Sequence, residues 1–211
     1  VCAVSLPDVE NAVRCFLTPD VTVVFLRPEH LRDIWTDIRN VAVATGQETT
    51  AEVLIQDLKE RVWKVEQKTR HLSRPRVTCL EWLDPLMAAG NWIPELMNIA
   101  GGEYGLVDAG AHTPTITWDA LVAYQPEVIV ITPCGFKISQ SQTDLPILTA
   151  HPQWQSLPAV QNNRVYVADG NAYYNRPGPR IVESTEILAE MLHPEECTGM
   201  AVPGSYIQIR P

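Results

Sequence analysis

The sequence predicts an α/β protein with a complete C-terminal lobe built on a central, mostly parallel sheet, joined by one long helix to an apparently truncated N-terminal α/β lobe. Three observations carry this. After residue 73, short β-branched runs alternate with amphipathic helical stretches, the pattern of strands crossed over by helices. Before it lies a helix of about 20 residues, roughly 30 Å long, with too thin an apolar stripe for a core position, so it is expected to cross a surface between lobes. Ahead of residue 49 only one clear strand and one or two helices are readable. The expected division is a remnant of the N-terminal lobe over 1–48, a linking helix over 49–72 and the C-terminal lobe over 73–211.

Residues 21–26, Val-Thr-Val-Val-Phe-Leu, read as a buried strand that turns at Arg27-Pro28. Leu31, Ile34, Trp35, Ile38 and Val41 repeat at three- and four-residue steps, and Thr45-Gly46 supplies the stop. The long helix follows from Thr49. Thr49-Thr50-Ala51-Glu52 has the spacing of a capping box, and Leu54, Leu58, Val62 and Val65 line one stripe reaching about Arg70. The second lobe then runs strand 76–80, helix 94–100, a short helix after Thr117, strand 128–132, strand 164–168 and helix 179–192. Pro179 is expected to open that last helix, with Ile181, Thr185, Leu188 and Leu192 on its buried face. Tyr206-Ile-Gln-Ile is a candidate edge strand.

Composition narrows the function. A net charge of −9, with 16 Lys and Arg scattered along 211 residues, argues against a nucleic-acid partner. No apolar run approaches the roughly 20 residues that span a bilayer, which argues against direct membrane insertion. The five cysteines form no C-x-x-C pair, and Cys79 and Cys134, in or just after apolar strands, read as small hydrophobes. The histidines occur singly, without metal-ligand spacing. No nucleophile elbow, Walker loop or dinucleotide fingerprint is present, so the chain reads as a binding protein, not an enzyme, with no catalytic residue and no metal or catalytic cofactor.

The most informative stretch runs from Glu81 to Gly102. It reads as a strand breaking into a loop that carries Trp82 and Trp92 before a helix opens at Ile93-Pro94, and Gly101-Gly102 closes that helix. Large flat side chains at the carboxyl end of a strand make a ligand wall, since open sheets bind there. Core packing of the two tryptophans is the alternative. Phe136, on another strand-end loop, packs on the lobe or faces the cleft. Asn171 and Asn175 are either turn residues beside Gly170 and Pro177 or ligand contacts.

The blocks Cys2-Ala-Val-Ser-Leu-Pro-Asp-Val9, Leu31 to Arg39 with Ala44-Thr-Gly46, Glu81 to Gly102, and Asn163 to Asp169 with Arg176-Pro-Gly-Pro-Arg-Ile181 resemble the cobalamin-binding solute receptors of bacterial ABC importers. These are periplasmic binding proteins whose two lobes are joined by one rigid helix. The resemblance implies that a corrinoid, carried as transported ligand, sits in an interlobe cleft and is delivered to an ABC permease from a periplasmic or other extracytoplasmic compartment. It implies ligand contacts from Glu81, Trp82, Asn91, Trp92, Thr113, Phe136, Tyr173, Tyr174, Asn175 and Arg176, with Ala172 lining the cleft, and a permease-docking carboxylate at Asp119. A corrinoid is a broad apolar disc rimmed with amides, so aromatic faces and a few polar groups suit it. Haem, siderophore and metal-chelate receptors share the architecture, and a non-transport sensor or interaction module is the rival class.

Overall fold

The computed structural model describes residues 6–16 and 21–210. The beginning of the Cys2 block lies outside them. A helix α1, Leu6–Phe16, comes first. Residues 21–28 follow as coil and not as a buried strand: Val21, Val23, Phe25 and Leu26 are exposed. Strand preference is satisfied only by a neighbouring strand, and among the described residues none pairs with this run.

Helix α2, Leu31–Thr45, ends at Gly46, whose φ of 67° closes it in the left-handed conformation. Helix α3, Glu48–Thr69, folds back on it. The expected capping box does not form. Instead the Glu52 carboxylate receives the Arg39 guanidinium of α2 at 2.5 and 3.0 Å. The buried stripe of α3 is Ala51, Ile55, Leu58, Val65 and Thr69, so Ile55 takes the place expected for Leu54, which is 36% exposed. A two-pronged bond from Arg61 to Glu186, at 3.1 and 2.7 Å, fixes α3 further along.

The sheet has strands β1 (Val77–Leu83), β2 (Leu86–Ala88), β3 (Val128–Ile131), β4 (Val165–Ala168) and β5 (Tyr206–Ile209) in the order β2-β1-β3-β4-β5. β1, β3 and β4 are parallel; the flanking β2 and β5 are antiparallel. The candidate edge strand at Tyr206 is therefore present. β1 runs three residues past its expected end and turns at Asp84-Pro85, a cis peptide, into β2. Glu81 and Trp82 thus lie on a strand, not on a loop. The register slips between Leu80 and Trp82, so Glu81 is the extra residue of a bulge that breaks the alternation of faces.

Alternation elsewhere sorts the strands onto two cores. Val77, Cys79, Val128, Val130, Tyr166 and Ala168 face helices α3, α4 (Ile93–Ile99) and α8 (Ile181–Leu192). Leu80, Ile129, Ile131, Val165 and Val167 face α5 (Trp118–Tyr124), α6 (Ile138–Thr149), a short turn at Trp154 and α7 (Pro158–Gln161). Ile34 and Trp35 of α2 belong to the first of these cores. α8 opens two residues after Pro179, and its expected buried face is buried.

A junction without a local sequence signal holds α2 in place. The Glu95 carboxylate of α4 accepts the Leu31 backbone N–H at 2.6 Å and lies 2.9 Å from the His30 Nδ1, satisfying donors at the start of α2 from another helix. Glu95→Ala is expected to destabilise the chain by about 1–2 kcal/mol in urea unfolding, the usual cost of a lost helix cap. No change would show that α2 is held by packing alone.

The far ends of three helices meet at His193. The Thr69 hydroxyl donates to the Ile99 carbonyl at 2.7 Å, and a Cβ on Gly101 would lie 2.6 Å from His193 Nε2. Burial holds the His193 imidazole below the 6.5 of the free group; Arg164 acts in the same direction, while the Gly101 and Ala100 carbonyls and Glu196 oppose it. With the folded value depressed, the unfolded chain binds the extra proton first. The stability carried by neutral His193 is therefore complete above the unfolded value near 6.5 and is lost as pH falls from there toward the folded value. Urea midpoints measured between neutral pH and about pH 5 are expected to fall more steeply for the parent than for His193→Gln.

Candidate functional site

Parallel strands place the carboxyl ends of β1, β3 and β4 on one rim, where the connecting loops gather. On the β1 side, Trp82 is half-buried, and its indole N–H donates to the Asp84 carbonyl at 2.9 Å. That bond orients the ring. Phe136, from the loop after β3, meets it edge to face, with ring centroids 5.5 Å apart and planes at 71°. Trp82, Leu83, Asp84, Pro133, Phe136, Asp144 and Ile147 enclose a pocket of about 80 Å³. The pocket is too small to swallow a large ligand, so the pair offers a platform with a notch beside it.

Next to the platform is a polar pair. The bulge residue Glu81 receives the Thr113 hydroxyl at 2.7 Å, and the Thr113 oxygen accepts the Gly90 N–H at 3.2 Å. Thr113 itself is buried at 7% exposure, so it positions Glu81 and offers little surface of its own. Asn91 has a φ of 52° and is bound through its backbone: its N–H donates to Ala111 and its carbonyl accepts from Gly110. It is a turn residue that pins residues 108–113 to the rim. Gly90 is required there, because a Cβ would fall 2.2 Å from the Ala111 carbonyl oxygen.

On the β4 side, a π turn at Gly170–Tyr174 carries Asn171, Ala172, Tyr173 and Tyr174, opened by the Asp169 carboxylate accepting from the Ala172 N–H at 2.8 Å. Asn175 accepts the Gly135 N–H at 3.1 Å, and Asn171 donates from its backbone to the Phe136 carbonyl at 3.0 Å. The exposed Arg176 donates to the Asn171 side chain at 2.8 Å, so its partner is an amide and not a carboxylate. These bonds tie the loop after β4 to the loop that bears Phe136.

Two expected ligand contacts are corrected by the structure. Trp92 is 8% exposed and Tyr174 1%, and both belong to the core beneath the sheet. Trp92 sits at the start of α4, where its ring follows Ile93 and Leu96 inward; Tyr174 ends the π turn pointing the same way. Burial raises the Tyr174 phenol well above its ordinary value. Tyr173 is half-buried, and its carbonyl accepts from Ser184. The residues brought together at the open rim are therefore Glu81, Trp82, Phe136, Asn175 and Arg176. Asp119 is exposed on the first turn of α5, accepting from Gln153 at 3.1 Å, beside Trp118 stacked on His151 at 3.8 Å.

Below the rim, Cys79 is buried with its thiol pushed up to about 12 by loss of solvent, so it stays protonated and 3.2 Å from the Thr132 hydroxyl. Cys134 is exposed, against its expected role as a small hydrophobe. Among the described residues no group of His, Cys, Asp and Glu has metal-holding geometry. A larger groove of about 700 Å³ between α2, α3 and α4 is lined by Arg74 and Glu95 among others. Both are already engaged, Arg74 by Asn98 and Gly102 and Glu95 by α2, so the smaller aromatic site is the better candidate.

Residues 12–172 match the model of the periplasmic binding protein family. The chain belongs to this family. It is 23% identical over 192 residues to an uncharacterized ABC transporter substrate-binding lipoprotein of Bacillus subtilis (strain 168), a match covering 88% of this chain and 58% of that relative. It is 24% identical over 157 residues to a vitamin B12-binding protein of Vibrio parahaemolyticus, covering 73% of this chain and 54% of that one. The chain thus spans less than two thirds of these relatives. By fold it is similar to an ABC transporter substrate-binding protein from Listeria monocytogenes, with a TM-score of 0.77 at 20% identity over 90% of this chain and 73% of the other. A periplasmic heme binding protein from Pseudomonas aeruginosa gives 0.72 at 17% identity over 90% and 69%.

One rim contact is close enough to test on its own. A Cβ at Gly170 would stand 2.5 Å from the Pro133 carbonyl oxygen and 2.9 Å from that of Thr132. Gly170→Ala is expected to cost about 2 kcal/mol or more in urea unfolding, because backbone must move to admit it. An unaltered midpoint would show that the two loops part freely.

Proposed function

We propose that this chain is the ligand-holding portion of an ABC importer's solute receptor and that its ligand is cobalamin or a related corrinoid. The single observation that supports the reading is the Trp82–Phe136 edge-to-face pair at the strand-end rim, flanked by the Glu81 carboxylate. A broad macrocycle lies on such a surface without entering a deep cavity, and its peripheral amides reach a carboxylate that Thr113 already orients. Asn175 and Arg176 extend the polar edge on the opposite side.

In this reading, residues 73–211 form the lobe that carries the rim, residues 49–72 link it to a second lobe across the cleft, and residues 1–48 are the remnant of that second lobe, its helix α2 packing through Ile34 and Trp35 on the core it shares with α3, α4 and α8. Asp119 supplies a carboxylate on the permease-facing surface. The protein works outside the cytoplasm, in keeping with the lipoprotein name of the Bacillus subtilis relative. Among the described residues no helix is long and apolar enough to cross a membrane.

Haem is the second reading. It is favoured by His112, exposed beside Thr113 with its Nδ1 3.2 Å from the Thr113 carbonyl, on the loop that borders the polar pair. Calorimetric titration of the purified chain with cyanocobalamin and, separately, haemin distinguishes the two. Cyanocobalamin is expected to bind, and Trp82→Ala to weaken it at least about tenfold, since a lost aromatic contact costs on the order of 1 kcal/mol or more. Binding of haemin alone would replace the corrinoid with haem. Unchanged affinity in Trp82→Ala would remove the platform from the site.

A further inference from the structure

The notch of about 80 Å³ beside the Trp82–Phe136 pair is walled by groups that attract positive charge. Its aromatic side is set before any ligand arrives: the Trp82 indole N–H is given to the Asp84 carbonyl at 2.9 Å, and Phe136 meets the ring edge to face. With its one donor taken, Trp82 offers the notch only π surface, and Phe136 has nothing else to offer. The polar side chains on the wall are two carboxylates, Asp84 at the turn from β1 to β2 and the half-buried Asp144 on α6. Among the described residues neither carboxylate has a hydrogen-bond or ion-pair partner; Lys137, next to Phe136 in sequence, is exposed and pairs with neither. An anion or a carbonyl entering the notch finds no side-chain donor, whereas a cation finds two rings and two carboxylates. A half-buried carboxylate without a partner costs free energy that an incoming positive charge offsets.

The rest of the wall decides which cation fits. Leu83, Pro133 and Ile147 contribute hydrocarbon, against which a metal ion or a bare ammonium would lose hydration without replacement. Among the described residues no three His, Cys, Asp or Glu side chains converge on a metal-holding position, and a hard cation needs more oxygens than two carboxylates supply. Alkyl groups on a nitrogen match the hydrocarbon while their spread charge meets the rings and the carboxylates, the combination by which aromatic sites take quaternary ammonium ligands. The volume excludes a macrocycle and admits a head group of a few carbons.

We propose that this notch is a binding site for a small alkylated ammonium solute, its charge held against Trp82 and Phe136 by the Asp84 and Asp144 carboxylates. The inference goes beyond the corrinoid reading and needs only the notch, so the cyanocobalamin titration above succeeds or fails independently of it. Calorimetric titration of the purified chain at constant ionic strength tests it, with choline chloride as the probe and dimethylbutanol, in which carbon replaces the charged nitrogen, as the uncharged analogue. Choline is expected to bind saturably at one site per chain, and the alcohol at least about tenfold more weakly. Asp144→Asn and Phe136→Leu are each expected to weaken choline about tenfold. Asp57→Asn removes the same charge from the exposed side of α3, across the sheet from α6, and is expected to leave choline binding unchanged. Urea midpoints matching the parent show that the variants remain folded; where Asp144→Asn lowers the midpoint, Asp84→Asn, at an exposed turn, takes its place. No saturable binding of choline, equal binding of the alcohol, or parent-like affinity in a folded carboxylate variant or in Phe136→Leu overturns the inference.

Discussion

Parallel pairing of β1, β3 and β4 is the constraint from which the rest of the structure follows. Strands buried on both faces need a helical layer on each side, and the strict alternation of Val128, Ile129, Val130 and Ile131 between the two cores shows how completely the requirement is met. Because the strands point the same way, every connecting loop at their carboxyl ends meets at one rim. The geometry that buries the core therefore also assembles Trp82, Phe136 and Asn175 from segments far apart in sequence.

What the sequence reveals and what it hides divide along physical lines. β3, β4 and the buried face of α8 are legible because apolar spacing alone decides them. The end of β1 is not, since Glu81 reads as a charged loop residue when it is the extra residue of a bulge. β2 is three residues long, and α6 has few apolar residues and an internal Pro146, so neither leaves a periodic trace. Residues 21–26 have the composition of a strand without a strand beside them, and composition cannot supply the neighbour. The Glu95 cap on α2 spans 64 positions and has no local signature at all.

The candidate site shows the same division. Position at a strand end identifies Trp82 and Phe136 as rim residues but does not fix where a ring points. Trp92 and Tyr174 have similar sequence surroundings, yet both turn into the core. The bulge is what separates them from Trp82: it breaks the pleat at Glu81, sends Leu83 to one core, and leaves the intervening indole against Phe136. Asn91 and Asn175 both hold loops together at the rim, Asn91 through its backbone and Asn175 through its side-chain oxygen.

The His30 ring presses on Gly110 so closely that a Cβ there would fall 2.4 Å from its Nε2. His30 also begins α2, and Gly110 lies on the loop that ends in Thr113, the partner of Glu81. Close packing thus runs from the imidazole at the start of α2, across the bare backbone of Gly110, to the loop whose Thr113 holds the rim carboxylate. Any side chain at Gly110 would have to displace either that ring or the loop.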